Sequence, residues 1–124
     1  MSRRILVVDD DPTILALLSR YFGGLGWEVE VRAEASQGLE LVESNPFDVV
    51  ICDLHLGPGH GAEGLDVVTR VRQKQPETAV LLFTAAFSEG VRTAALEAGA
   101  DDVIPKPIPL TELRDATLRA MRKG

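Results

Sequence analysis

Three consecutive carboxylates, Asp9-Asp10-Asp11, follow a short apolar run, and a fourth, Asp53, stands alone after another. Thr84 closes a further run of this kind, and Lys106-Pro107 comes shortly after Val103-Ile104. In an open parallel sheet, ligands bind beyond the carboxyl ends of the strands, so residues in these positions converge on one site. Two like charges about 4 Å apart at an effective dielectric near 20 repel by ~4 kcal/mol, so clustered carboxylates call for a compensating cation. The donors are hard oxygens without a patterned histidine or thiolate beside them, which selects magnesium over zinc or copper. Magnesium keeps waters and completes its shell with phosphate oxygens, and a lysine and a hydroxyl opposite bind those same oxygens. The chemistry predicted is therefore the handling of a phosphoryl group. No histidine, cysteine or serine stands in a nucleophile–base arrangement, which leaves a carboxylate able to form an acyl phosphate as the nucleophile. Asp53 is the candidate, because the adjacent aspartates after the first run are better placed to share a metal.

The elements that must position these side chains can be read from period and punctuation. Apolar runs alternate with longer stretches of helical spacing, the pattern of βα units and a parallel sheet. Ile5 to Val8, Val49 to Cys52 and Val80 to Phe83 are continuously apolar, as central strands covered on both faces should be. Val29 and Val31 alternate with charged neighbours, and Val103-Ile104 is short and followed by Pro105, so both read as edge strands. The first helix opens with Asp11 as N-cap and Pro12 at its first position, ends at Gly23-Gly24, and turns Ile14, Leu18, Tyr21 and Leu25 towards the sheet. The remaining helices are predicted over Ala35 to Ser44, Leu65 to Lys74, Ser88 to Ala98 with Gly99 as stop, and Leu110 to Arg122. On the last, Leu110, Leu113, Ala116, Ala120 and Met121 share a stripe, while Leu118 lies off it and reads as a singly exposed leucine. Trp27 is expected to be partly buried at the start of the second strand.

Composition fits this reading. The 124 residues, 45% hydrophobic and 26% charged, suit a single domain over 1–124 that needs no disulfide or structural metal. One cysteine and no zinc-type spacing agree with a reducing compartment; Cys52 reads as a small buried hydrophobe. No apolar run reaches the ~20 residues of a membrane span, and Met1-Ser2-Arg3-Arg4 leads into a run that breaks at three aspartates before it could serve as a signal-peptide core, so a cytoplasmic location is expected. A net charge of −6 disfavours direct nucleic-acid binding, and the basic finish of Arg119, Arg122 and Lys123 suits a helix C-terminus. No output domain is expected within these 124 residues, whose basic helix end suits a standalone regulator or an N-terminal domain of a larger protein alike. His55 and His60 read as loop residues facing solvent.

Through Val7-Val8-Asp9-Asp10-Asp11, Asp48 to Asp53, Leu82-Phe83-Thr84-Ala85, and Ala98 to Asp102 with Lys106-Pro107, the chain resembles the receiver domains of two-component response regulators. The resemblance covers essentially the whole chain. It implies a flavodoxin-like, doubly wound α/β fold with five parallel strands in the order 2-1-3-4-5 and five helices. It implies phosphoryl transfer to Asp53 from a phosphohistidine on a sensor histidine kinase or histidine phosphotransfer protein. Asp10, Asp53 and the backbone carbonyl of His55 would ligate Mg2+, for which Mn2+ could substitute, with Asp9 acting through a metal-bound water. Lys106 would pair with the phosphoryl group, and Thr84 would swing inward to hydrogen-bond it, moving the loop to the fourth helix. The domain would catalyse its own phosphorylation and slow autodephosphorylation without being a turnover enzyme. It would act on an output domain or target protein, and the family admits a homodimer through the fourth helix, fifth strand and fifth helix, with Leu118 as the residue to test.

Three positions depart from the family pattern. Val103 stands where tyrosine or phenylalanine usually reports phosphorylation, and Phe87 in the adjacent loop is the one candidate substitute. The loop after Asp53, with its run from Gly57 to Gly64, is about three residues longer than usual, a change expected to affect partner choice or acyl-phosphate lifetime. Ala86 replaces a side chain that is often polar. Rival readings are a haloacid-dehalogenase-type phosphatase using Asp9, Asp11 and Thr13, a flavodoxin-like electron carrier, and a receiver-like interaction module that is never phosphorylated. Against the phosphatase, Asp101-Asp102 precede Lys106 rather than following it; against the flavin carrier, the aspartates after the first strand would repel its phosphate.

Overall fold

The computed structural model describes residues 2–57 and 61–122. His60 and Lys123, read above as a loop residue and part of a basic helix end, lie outside them with Met1, Pro58, Gly59 and Gly124. Along the chain run β1 (Arg4–Val8), α1 (Pro12–Gly24), β2 (Glu28–Arg32), α2 (Ala35–Ser44), β3 (Val49–Cys52), α3 (Glu63–Lys74), β4 (Ala79–Thr84), α4 (Glu89–Ala98), β5 (Asp102–Pro105) and α5 (Leu110–Met121). The strands are all parallel, in the order β2-β1-β3-β4-β5, which is the doubly wound, flavodoxin-like arrangement.

Side chains alternate across the sheet, so each continuously apolar strand feeds two cores. Leu6, Val8, Val50, Cys52, Val80, Leu82 and Val103 pack against Val42 of α2, Val67, Val68 and Val71 of α3, and Ala95 of α4. Ile5, Val7, Val49, Ile51, Leu81, Phe83 and Ile104 pack on the other face against Leu18 and Phe22 of α1 and Leu113 and Ala116 of α5. The edge strands have the more exposed residues, as their sequences require. Among the described residues, no helix is long and apolar enough to cross a membrane.

The predicted cap of α1 is present, the Asp11 carboxylate accepting the Thr13 N–H at 2.9 Å, whereas Ser88, expected as the first residue of the fourth helix, is its N-cap and α4 begins at Glu89. Gly99 stops α4 with φ +116°, a conformation that favours glycine. Arg72 of α3 reinforces that end, donating from Nε and Nη2 to the Gly99 carbonyl at 3.0 and 2.9 Å and from Nη2 to Asp101 at 3.0 Å.

Four local expectations are corrected. Leu25 does not share the buried face of α1; it is the C-cap residue, 42% exposed, because the helix axis ends at Gly24 and Gly26 turns the chain with φ +88°. Phe22 takes the interior place and stacks at 4.9 Å on Trp27, which is therefore buried rather than half-buried. Leu118 is not a free surface leucine, since it packs partly buried on the α1–α5 core. Its neighbour Thr117 is fully buried, and its hydroxyl satisfies itself on the Leu113 carbonyl at 2.8 Å. Finally, α3 starts at Glu63, ahead of Leu65.

Candidate functional site

Strand register gathers the residues that composition could only nominate. Val8 lies opposite Cys52, Cys52 opposite Leu82, and Leu82 opposite Val103, so the strands finish together and the residues just beyond them meet. The ladders continue past the last paired residues: Asp53 N–H donates to the Val8 carbonyl at 3.0 Å and Lys106 N–H to the Thr84 carbonyl at 3.0 Å. Side chains carried on such rigid strand ends are held far more narrowly than loop residues would be.

Asp9 is 2% exposed, and its two oxygens have separate tasks. Oδ1 accepts the Asp11 N–H at 2.9 Å, and Oδ2 accepts from Lys106 Nζ at 2.6 Å. Asp53 is likewise divided, Oδ1 accepting the Leu54 N–H at 2.6 Å and Oδ2 accepting from the same Nζ at 3.0 Å. Lys106 thus bridges two carboxylates while both it and Asp53 keep 14% of their side-chain surface in contact with solvent. Burial is the strongest influence on Asp9 and lifts its carboxyl above the ordinary 3.8, although hydrogen bonds from Lys106 and the Asp11 amide pull it down. For Lys106 burial is again the largest single effect and lowers the ammonium, but the hydrogen bonds and charges of Asp9 and Asp53 together outweigh it and leave it raised above 10.5. One ammonium therefore does not fully compensate the buried carboxylate.

Asp10 is exposed and completes a triad, since Asp9, Asp10 and Asp53 each offer a carboxylate oxygen within 4.8 Å of the others. Three carboxylates facing one lysine form an electron-rich, all-oxygen donor set, which fits a hard divalent cation. Asp11, turned into the helix cap, is outside that triad. Thr84 is buried at the end of β4, where its Oγ1 accepts the Ala86 N–H at 3.1 Å and so ties the strand end to the exposed loop of Ala85, Ala86, Phe87 and Ser88. Val103 is buried among aliphatic side chains on the α4 face of the sheet. His55, half-buried, places Nδ1 2.7 Å from the Gly61 carbonyl, so its ring pins the loop after Asp53 rather than facing freely outward.

Sequence reasoning missed the part played by Gly64. A Cβ there would collide with the Asp53 carbonyl oxygen and stand 2.8 Å from Leu54 Cα, so the first turn of α3 can lie against the Asp53-Leu54 backbone only because position 64 has no side chain. The Gly64 N–H donates to the Leu54 carbonyl at 2.9 Å. A glycine opening a predicted helix was the available signal, but the close approach itself is a tertiary fact. Cys52, directly before Asp53, is buried with its thiol pushed far up by desolvation, and it donates to the Gly64 carbonyl at 3.7 Å; it is a packing residue. Asp101 and Asp102 are at the opposite end of the sheet, at the start of β5, where Asp101 Oδ2 accepts the Val80 N–H at 2.8 Å. They cannot serve as the acidic pair of a dehalogenase-type site around Asp9.

The response regulator receiver domain family matches residues 5–118. The chain belongs to this family. It is 36% identical over 123 residues to the response regulator protein PilR of Pseudomonas aeruginosa, covering 98% of this chain and 27% of PilR. Among solved structures it is similar to a response regulator receiver domain protein of Methanospirillum hungatei JF-1, with 28% identity, a TM-score of 0.87 and coverage of 100% of both chains. It is equally similar to the beryllofluoride-activated DrrB receiver domain, with 28% identity, a TM-score of 0.86, and coverage of 99% of this chain and 100% of that one. The chain spans about half or less of the length of the curated relatives it matches. In this receiver domain residues just past β1, β3 and β5 form one polar cluster, Asp9, Asp10, Asp53 and Lys106, and Thr84 closes the neighbouring strand β4.

Proposed function

We propose that this receiver domain takes a phosphoryl group onto Asp53 from the phosphohistidine of a sensor histidine kinase or histidine phosphotransfer protein. The observation that carries the reading is the Lys106 ammonium bridging Asp9 and Asp53, with Asp10 in the same oxygen cluster. An Asp53 carboxylate oxygen attacks phosphorus, the N–P bond of the donor breaks, its electron pair returns to the imidazole, and an acyl phosphate remains on Asp53. Asp9, Asp10, Asp53 and the His55 backbone carbonyl would hold Mg2+, or Mn2+ in its place, which when bound neutralises charge on the phosphoryl oxygens. Lys106 follows the new negative charge and pairs with it. The Thr84 hydroxyl donates to a phosphoryl oxygen and gives up the Ala86 N–H, releasing the loop ahead of α4 while Arg72 keeps the far end of that helix anchored. Binding, positioning and charge stabilisation are nearly all that a loose phosphoryl-transfer transition state demands. The domain is therefore a switch that phosphorylates itself once and slowly hydrolyses the product, not a turnover enzyme.

The signal leaves through the loop of residues 85–88 and the face made by α4, β5 and α5, towards an output domain or a target protein in the cytoplasm, without direct contact of this chain with nucleic acid. The same face suits a homodimer. Leu96 on α4 is 39% exposed, and Arg92 pairs with Asp102 at 3.0 Å across α4 and β5. Leu118 is partly buried against the core on the α1 and α5 face of the sheet, so Leu96 is the residue to test.

The experiment is incorporation of one phosphoryl group from acetyl phosphate with magnesium, measured by intact mass. The wild type gains one group and Asp53→Asn gains none; uptake by Asp53→Asn would place the acceptor elsewhere.

A further inference from the structure

Phe83 precedes Thr84 on β4 and packs into the core beneath α1 and α5. Its ring is buried, and it presents a face to Lys106, whose Nζ lies 5.3 Å from the ring centroid. Backbone pairing sets this approach, because Phe83 is opposite Ile104 and the Lys106 N–H is bonded to the Thr84 carbonyl at 3.0 Å. Among the described residues the ammonium thus has three such neighbours: the Asp9 and Asp53 carboxylates and the aromatic face.

Two of those neighbours belong to the reacting site, and the charge at one of them, Asp53, changes as it works. The ring does not. An aromatic face attracts a cation through its quadrupole, most strongly where water is largely excluded. With Lys106 only 14% exposed, that condition is met. We propose that Phe83 is a positioning residue that holds the Lys106 ammonium over the acceptor before and after phosphoryl transfer. An aliphatic side chain would fill the same core volume but leave the lysine held only by the two carboxylates, one of which changes charge. The inference rests on the phosphoacceptor reading above and goes beyond it in naming a residue that touches neither metal nor phosphoryl group.

Beryllofluoride serves as the phosphoryl probe, titrated calorimetrically into the whole chain with saturating magnesium. Phe83→Leu is expected to weaken it about fivefold, equivalent to about 1 kcal/mol at 1.4 kcal/mol per tenfold. Replacing Phe83 by mono-, di- and trifluorophenylalanine, which drains the ring face while keeping its shape, should weaken it stepwise. Magnesium affinity measured alone should stay within about twofold. In a Lys106→Gln background Phe83→Leu should have no further effect on beryllofluoride. An effect that persists without the lysine, an even response across the fluorinated series, or a parallel loss of magnesium affinity would each reduce Phe83 to a packing residue and overturn the proposal. Urea unfolding confirms that each variant is folded, and Phe83→Met replaces Phe83→Leu should the latter not fold. If the wild type binds no beryllofluoride with magnesium, the phosphoacceptor reading itself fails; if the wild type binds and the Phe83 series is flat, only the positioning role does.

Discussion

Lys106→Met keeps most of the side-chain stem and removes the ammonium lying 2.6 Å from Asp9 and 3.0 Å from Asp53. Breaking a fully buried ion pair by deleting one partner costs about 3–5 kcal/mol, because the other charge is left desolvated. Here Asp9 is 2% exposed but Lys106 and Asp53 are each 14% exposed, so water reaches one side of the cluster. A loss of about 2–3 kcal/mol is expected at pH 7 without metal. The acid dependence has a definite sign. The Asp9 carboxyl is raised above 3.8 in the folded protein, so protonation favours the native state, and stability from this group rises as pH falls through its folded value. Without the lysine, burial acts less opposed and the carboxyl rises further, so the deficit of the variant should shrink on going from pH 7 towards pH 5. Lys106 gives the opposite limb in the wild type: its raised ammonium contributes fully below 10.5, and the contribution is lost as pH rises through the folded value. The variant lacks that alkaline loss. Magnesium should restore the variant, since a ligand at 100 times its Kd adds about 2.7 kcal/mol. It should also bind the variant more tightly than the wild type, because no ammonium competes for Asp9. Urea unfolding followed by the fluorescence of the single tryptophan, the buried Trp27, measures all of this. A loss under about 0.5 kcal/mol, or one equal at pH 5 and pH 7 and unchanged by magnesium, would refute the view that the lysine compensates a buried carboxylate.

Two other substitutions probe the frame around the site. Gly64→Ala should destabilise the fold by about 3 kcal/mol in urea, because its methyl meets backbone that cannot rotate away, and should slow phosphoryl uptake; a fully stable variant with normal uptake would show that α3 can withdraw from Asp53. Leu96→Glu should leave beryllofluoride binding intact but abolish any activated dimer seen by sedimentation, whereas a dimer that survives the substitution would move the interface off α4.

The output side of this receiver domain differs from its chemistry in how it is built. Asp9, Asp53 and Lys106 each sit just past a strand end and are tied there by backbone hydrogen bonds. The segment proposed to carry the signal is the opposite: residues 85–90 are all exposed, and the Thr84 hydroxyl is joined to them through the Ala86 amide. Val103 pairs with Leu82 and shares a core cluster with Ala95 and Ala100, so in the proposed switch the motion falls to that loop.

Much of this protein is written locally. Strand β3 and helix α2 fall on the residues where apolar runs and helical spacing place them, because their boundaries are marked by aspartate, asparagine and proline, which act within a few residues. That Asp9, Asp10, Asp53 and Lys106 would converge was legible because a parallel sheet sends all its strand ends to one side. What local pattern could not supply is every fact that depends on another part of the chain. The period of α1 marks Leu25 as buried, but only the folded turn at Gly26 shows that the helix has already ended and that Phe22 and Trp27 close the core. Leu118 is off its stripe in projection yet partly covered, because the core on that face of the sheet extends to it. Lys106 is 97 residues from Asp9, and nothing near either residue states that they touch; register across four strands brings them within 2.6 Å. The Phe83 ring beneath the ammonium and the missing side chain at Gly64 are decided in the same way, by the distance between elements rather than the identity of either. Residue type and spacing name the participants, since propensity and period are properties of neighbours in sequence. Which of them meet, and at what distance, is settled by packing alone.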